Sequence, residues 1–126
     1  MNTQPQCTRQ AAPNLIFPCS GASDVGSLTD RAARQMTLDL MGRMYCLAGI
    51  GGRVEGIMAN TKAAAKVLVI DGCKEECARK TMEVAGFSGF AHLQLERDLG
   101  FEKGATRVTT ARIRRVADRG AELLIS

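Results

Sequence analysis

The chain has 126 residues, of which 45% are hydrophobic and 24% charged, and its formal net charge is +4. This length and composition are typical of one globular domain that buries its own core without disulfides. No segment reaches the ~18 consecutive apolar residues that a membrane-spanning helix needs, so we expect no membrane contact. The first residues also lack the apolar stretch of a secretory signal, which favours the cytoplasm, where thiols are kept reduced.

The basic excess lies near the C-terminus, where five arginines fall between Arg107 and Arg119. A nucleic-acid surface is one interpretation, and the solvated face of a terminal helix is the other. No aromatic residue alternates with these arginines, as a base-stacking surface would require. We therefore favour the solvated helix and expect no nucleic-acid partner.

The first half of the chain predicts a polar arm, a strand and a helix. Residues 1–13 are polar, hold two prolines and have no periodicity, so we expect a disordered arm there and a single α/β domain over residues 14–126. The apolar run NLIFPC predicts the first strand. From Val25 to Met41 apolar residues recur at helical spacing, and Gly42 suits the position after that helix.

The rest of the chain continues the alternation of strands and helices. RMYCLAG predicts a second strand, KVLVID a third and FAHLQL a fourth, and the third is continuously apolar, which is typical of a strand buried on both faces. Helices are expected near residues 54–65, 74–85 and 106–124. Such alternation predicts a small three-layer α/β fold, flavodoxin-like or Rossmann-like, with about four parallel strands in the order 2-1-3-4 and helices on both faces.

Cysteines follow the predicted strands at a regular interval. Cys19, Cys46 and Cys73 are separated by 46 − 19 = 27 and 73 − 46 = 27 residues, about the length of one strand-helix unit. Each therefore belongs at the carboxyl end of a strand, and in a parallel sheet those ends share one edge. Cys77 lies four residues after Cys73, on the first turn of the next helix, and can point to the same place. Cys7 falls in the arm, and we expect it to take no part.

Four convergent thiols are the donor set of a tetrahedral zinc site, with Zn–S bonds of about 2.3 Å. The same four thiolates also suit an iron–sulfur cluster, which stays open as an alternative. A second class of function is thiol redox or sulfur transfer, with Cys73 as nucleophile and Cys77 or Cys19 resolving. No catalytic base is evident, because the single histidine, His92, lies within a predicted strand.

Four further residues are expected to support the ligands: Ser20, Gly21, Asp71 and Gly72. Glycine lets backbone amides approach the sulfurs. Asp71 has two interpretations that both stay open, a partner for amides around the thiolates or the N-cap of the third helix.

Three segments, FPCSGASDVG, CLAGIGG and VLVIDGCKEECARKTMEVAG, together resemble the DGC domain, which is named for the Asp-Gly-Cys at its centre. The resemblance covers Leu15 to about Gly86 and, more loosely, the remainder. It implies a zinc-binding protein with four chelating cysteines, at positions that correspond here to Cys19, Cys46, Cys73 and Cys77. Lys74 stands where similar sequences often have proline. The resemblance names no reaction, pathway or protein partner.

Overall fold

The computed structural model describes residues 12–126. The predicted arm therefore lies outside the described residues except for its last two, and so does Cys7. Residues 12–126 contain four strands, β1 (Asn14–Pro18), β2 (Arg43–Met44), β3 (Lys66–Asp71) and β4 (Ala91–Gln94). All pairings are parallel, in the order β2-β1-β3-β4, which confirms the predicted α/β fold and strand order.

Helices connect the strands and cover both faces of the sheet. In the described residues they are α1 (Asp24–Leu38), α2 (Leu47–Gly51), α3 (Glu55–Lys62), α4 (Cys77–Val84), α5 (Leu95–Leu99) and α6 (Thr110–Ile125). None of the helices within residues 12–126 has both the length and the apolar character needed to cross a bilayer.

Two apolar cores lie on opposite faces of the sheet because strand side chains alternate in direction. Ile16 and Leu68 point into the core that α1 and α6 cover, whereas Leu15, Phe17 and Val69 point into the core that α2 and α4 cover. All are at most 2% exposed. Each such side chain stabilises the fold by about 1.5–3 kcal/mol, and these residues lie in the body of the sheet rather than at the edge where the cysteines follow the strands.

The first helix ends earlier than its apolar pattern predicts. The hydroxyl of Ser23 accepts a hydrogen bond from the Gly26 amide and starts α1, as a good N-cap does. At the other end Leu40 takes a left-handed conformation, with φ of +63°, and the Met41 amide donates to the Met36 carbonyl. This closure of the last turn stops α1 at Leu38, although the periodicity continues to Met41.

Two further boundaries were wrong because a side-chain cap begins a helix where the sequence suggested a strand or loop. The predicted strand of residues 43–49 is only two residues long, and Cys46 instead caps α2. Helix α5 lies between β4 and the predicted last helix, where the sequence indicated no helix, and its first turn is capped by Gln94 accepting from the Arg97 amide. Both caps fall at the carboxyl ends of strands, which keeps these turns at the edge where the cysteines lie.

Candidate metal centre

The four predicted ligands follow strands β1, β2 and β3. Cys19 comes directly after β1, Cys46 two residues after β2, and Cys73 two residues after β3, while Cys77 opens α4. All four are free thiols, with Cys19 and Cys73 half-buried and Cys46 and Cys77 exposed. Because the strands are parallel, their carboxyl ends put these four residues along one edge of the sheet.

Cys19 is fixed to the neighbouring strand and to α1. Its amide donates to the carbonyl of Ile70 at 2.9 Å, and its Sγ lies 3.5 Å from the hydroxyl of the fully buried Thr29. That hydroxyl donates its one hydrogen to Gly26, at 2.7 Å, and accepts from the Ser20 amide at 3.1 Å. The thiol of Cys19 is therefore the donor in its contact with Thr29.

The predicted supporting residues Ser20 and Gly21 shape the turn after Cys19. Ser20 has φ of +52°, a left-handed conformation that is uncommon for serine, and its hydroxyl donates to Asp30 at 2.8 Å. A Cβ at Gly21 would lie 3.8 Å from the sulfur of Cys19. The turn is thus held by its own hydrogen bonds, with the thiol beside it.

Cys19 and Cys46 both line a cleft of about 470 Å³. The Sγ of Cys46 accepts from the Gly49 amide at 3.3 Å, an N–H···S hydrogen bond that places the sulfur at the start of α2. Thr81 of α4 lines the same cleft and donates to the carbonyl of Cys77, one turn earlier, at 2.7 Å. The cleft therefore brings two of the predicted ligands next to the helix that begins with a third.

Cys73 faces a different neighbourhood. It packs against the core under α1 and α6, whereas Cys19 packs against the core on the other face of the sheet. In residues 12–126 no three His, Cys, Asp or Glu side chains are grouped closely enough to hold a metal ion. The four thiols share an edge but lie on both sides of it.

Asp71 and Gly72 link β3 to the cysteines that follow. The buried carboxylate of Asp71 accepts from the amides of Ala78 and Arg79, at 2.8 and 3.0 Å, so it caps the first turn of α4 from the end of β3, although Glu76 occupies the N-cap position. Those amides directly follow Cys77, so the capping interpretation also fixes the backbone beside a predicted ligand. Gly72 has no room for a side chain, because a Cβ there would approach the backbone of α1 to 2.7 Å.

The Asp-Gly-Cys segment lies within the part of the chain that matches a known protein family. The model of the DGC domain matches residues 15–119. The chain belongs to the DGC domain family. It is also 31% identical over 65 residues to the anaerobic and virulence modulator AnvM of Pseudomonas aeruginosa, a match that covers 52% of this chain and 50% of that protein. The matched part thus spans half the length of AnvM. No solved structure matches the chain significantly.

A partly buried polar network, which the sequence did not predict, surrounds the cap of α4 in this DGC domain. The Nε2 of His92 lies 2.8 Å from Asp71, and Gln94 donates to Glu76 at 2.6 Å. Burial raises the pKa of Glu76, but the hydrogen bonds from Gln94 and Arg79 outweigh it and hold that pKa below its ordinary value. The signal was present in β4, where His92 and Gln94 alternate with apolar residues and share one face.

The segment between α5 and α6, residues 100–109, lies across the same edge, and we call it the latch loop. The carboxylate of Asp24 accepts from the amides of Gly104 and Thr106, both at 3.0 Å. The carboxylate of Glu96 accepts from Lys103 at 3.1 Å and from Lys74 at 3.0 Å. These backbone hydrogen bonds lower the pKa of both acids, that of Asp24 mainly through Gly104 and that of Glu96 mainly through Lys103.

Several of the C-terminal arginines contact groups of the DGC domain itself. Arg114 pairs with Asp39 at 2.8 Å and with Asp118 at 3.3 Å. Arg119 pairs with Glu122, and the guanidinium of Arg115 lies 5.3 Å from the ring centre of Phe101. Such contacts are typical of a solvated helix face. The expectation that nucleic acid is not a partner stays a prediction.

Proposed function

We propose that this DGC domain is a cytoplasmic zinc-binding protein that holds the ion through Cys19, Cys46, Cys73 and Cys77. The observation that carries the proposal is the cleft shared by Cys19 and Cys46, with the wall of α4 one turn from Cys77. Sulfur donors favour zinc among the common divalent ions, and the free thiols suit a compartment that keeps them reduced.

The donor set fits zinc chemically, but no three of the cysteines in residues 12–126 lie close enough together to hold an ion, so binding requires the loops that carry them to move. Cys73 packs on the opposite side of the edge, so we expect residues 72–76 to turn toward the cleft when metal binds. Non-glycine residues in left-handed conformations stand beside two of the cysteines, Ser20 after Cys19 and Glu76 before Cys77. Backbone strain of this kind costs about 1–3 kcal/mol per residue and clusters at ligand sites, which supports the proposal.

Four thiolates would fill the coordination shell of the ion, whereas catalytic zinc keeps a position open for water or substrate. The proposed role of the ion is therefore structural, or the domain carries it to another protein. The Gly49 amide donates to the sulfur of Cys46, a hydrogen bond that a thiolate ligand would keep, whereas Cys19 would give up the proton that its thiol donates to Thr29.

Elemental analysis of protein purified under reducing conditions tests the proposal. We expect about one zinc ion per chain in the wild type and a sharp loss in Cys46→Ser and Cys73→Ser. Cys7→Ser is the matched control, because it removes a thiol from outside the predicted site, and it should keep the metal. Equal metal content in all four proteins, or equal loss from all three variants, would place the site elsewhere.

Two other outcomes would favour the alternatives. A brown protein that contains iron and absorbs near 400 nm would replace zinc by an iron–sulfur cluster on the same ligands. A metal-free protein in which mild oxidation joins Cys73 to Cys77 or Cys19 would favour thiol redox or sulfur transfer instead.

A further inference from the structure

The ammonium group of Lys103 lies at the thiol of Cys73. The Nζ of Lys103 is 3.8 Å from the Sγ of Cys73, across 30 residues of sequence. Lys103 belongs to the latch loop, and Cys73 belongs to the turn after β3. A lysine side chain is flexible, so its ammonium group stays near the thiol only if the two backbones are fixed relative to each other within its reach.

One carboxylate fixes them. Oε1 of Glu96 accepts from the amide of Lys74, the residue next to Cys73, and Oε2 accepts from the amide of Lys103. Glu96 thus joins the two segments directly behind the thiol and the ammonium group. Asp24 accepts from the amides of Gly104 and Thr106, so the latch loop is anchored at Lys103 and directly after it.

We propose that Lys103 is a positioning residue for Cys73: its ammonium group, placed by Glu96, forms the positive side of a thiol site that prefers anionic reaction partners to neutral ones. An exposed ion pair shifts an equilibrium by up to about fivefold, which sets the scale of the preference. A rival explanation is that the side chain of Lys103 serves only to neutralise Glu96, because the charge of Lys103 also helps to lower the pKa of that acid. The proposal concerns the thiol and does not rest on the zinc site.

A pair of reagents tests the charge at Cys73 directly. Metal-free, reduced full-length protein is alkylated in parallel with iodoacetate, which is anionic, and iodoacetamide, which is neutral, and peptide mass spectrometry follows Cys73. In both reactions the thiolate displaces iodide, so the fraction of thiolate cancels in the ratio of the two rates. The ratio of the iodoacetate rate to the iodoacetamide rate therefore reports the cation beside the sulfur.

We expect Lys103→Gln to lower this ratio about threefold to fivefold and Lys103→Arg to keep most of it. Lys62→Gln is the matched control, because it removes the same charge from the last turn of α3, at the end of the sheet opposite to the cysteines. An unchanged ratio in Lys103→Gln, or an equal fall in Lys62→Gln, would overturn the proposal.

Glu96→Gln tests the positioning. Removing a negative charge would by itself attract iodoacetate and raise the ratio, whereas loss of the hydrogen bonds that place Lys103 would lower it. We therefore expect a fall. A rise would show that Glu96 does not act by placing Lys103. Since no metal is present, neither result depends on the outcome of the zinc analysis.

Discussion

Replacing Asp71 by alanine is the sharpest test of how the edge of the sheet is built. The change removes a carboxylate that is 1% exposed and that accepts from the Ala78 and Arg79 amides and contacts His92. Loss of a helix cap costs about 1 kcal/mol. Each buried donor left without a partner costs about 1–3 kcal/mol more. The Arg79 amide and the His92 ring are only partly buried and can still reach water.

These contributions overlap, so we expect Asp71→Ala to lower the free energy of unfolding by about 3 kcal/mol in total. Urea denaturation followed by circular dichroism measures it. With an m value of about 2 kcal/mol/M, the midpoint should fall by about 1.5 M and the m value should not change. Asp71→Asn should fall between the two proteins, because the amide keeps one acceptor and turns a donor toward a backbone N–H.

Asp118→Ala is the control for the loss of an aspartate. Its side chain is 62% exposed and pairs with Arg114 on the surface of α6, so the change should cost at most about 0.5 kcal/mol. If Asp71→Ala lost less than about 1 kcal/mol, or no more than the control, the carboxylate would not be the cap that the geometry describes.

Three further predictions address the glycine of the motif, the latch loop and the metal. Gly72→Ala should lower the free energy of unfolding by about 2 kcal/mol or more, because its Cβ would come within 2.7 Å of the backbone of α1. Gly51→Ala is the control: its Cβ would have no atom within 4 Å, so the free energy of unfolding should change by less than about 1 kcal/mol. Urea titration of both variants measures the difference. The pKa values of Asp24 and Glu96 are lowered in the fold, so their stabilisation is complete above the ordinary carboxyl pKa of about 4 and is lost as the pH falls below it. Amide protection factors in the latch loop should therefore drop first in acid, and equal protection at pH 3 and pH 6 would contradict this. A chelator should lower the melting temperature, because it removes about 2.7 kcal/mol of stabilisation if free metal had been 100-fold above its dissociation constant. The far-ultraviolet dichroism should stay nearly native. Collapse of the helical signal would mean that the metal forms the core.

The central strands and the positions of the cysteines could be predicted because both depend on short-range patterns. The apolar runs at β1 and β3 indicate strands buried on both faces, and the interval of 27 residues puts each thiol at a strand end. The strand order followed from the connection rules for parallel sheets. None of these inferences needed a contact between distant residues.

The features that the sequence did not predict depend on side chains that meet across the fold. Asp24 binds amides 80 and 82 residues away, and His92 meets Asp71 from a neighbouring strand. The polar face of β4 was visible in the sequence, but no local pattern identifies the distant residue that each side chain meets. The capping role of Cys46 was missed for a related reason, because cysteine is an unusual N-cap and the strand pattern before it did not signal an end.

The purely parallel sheet has a consequence for how the chain folds. β1 pairs with β3 in a register that sets Leu15 beside Val67, 67 − 15 = 52 residues later, and no hairpin can form first to shorten that search. Closing so long a segment delays folding relative to a helical bundle of the same size. Until it closes, Cys19 and Cys73 belong to a loose chain and are 73 − 19 = 54 positions apart in the sequence. The refolding rate after dilution from urea therefore sets how long the thiols stay open to wrong disulfides.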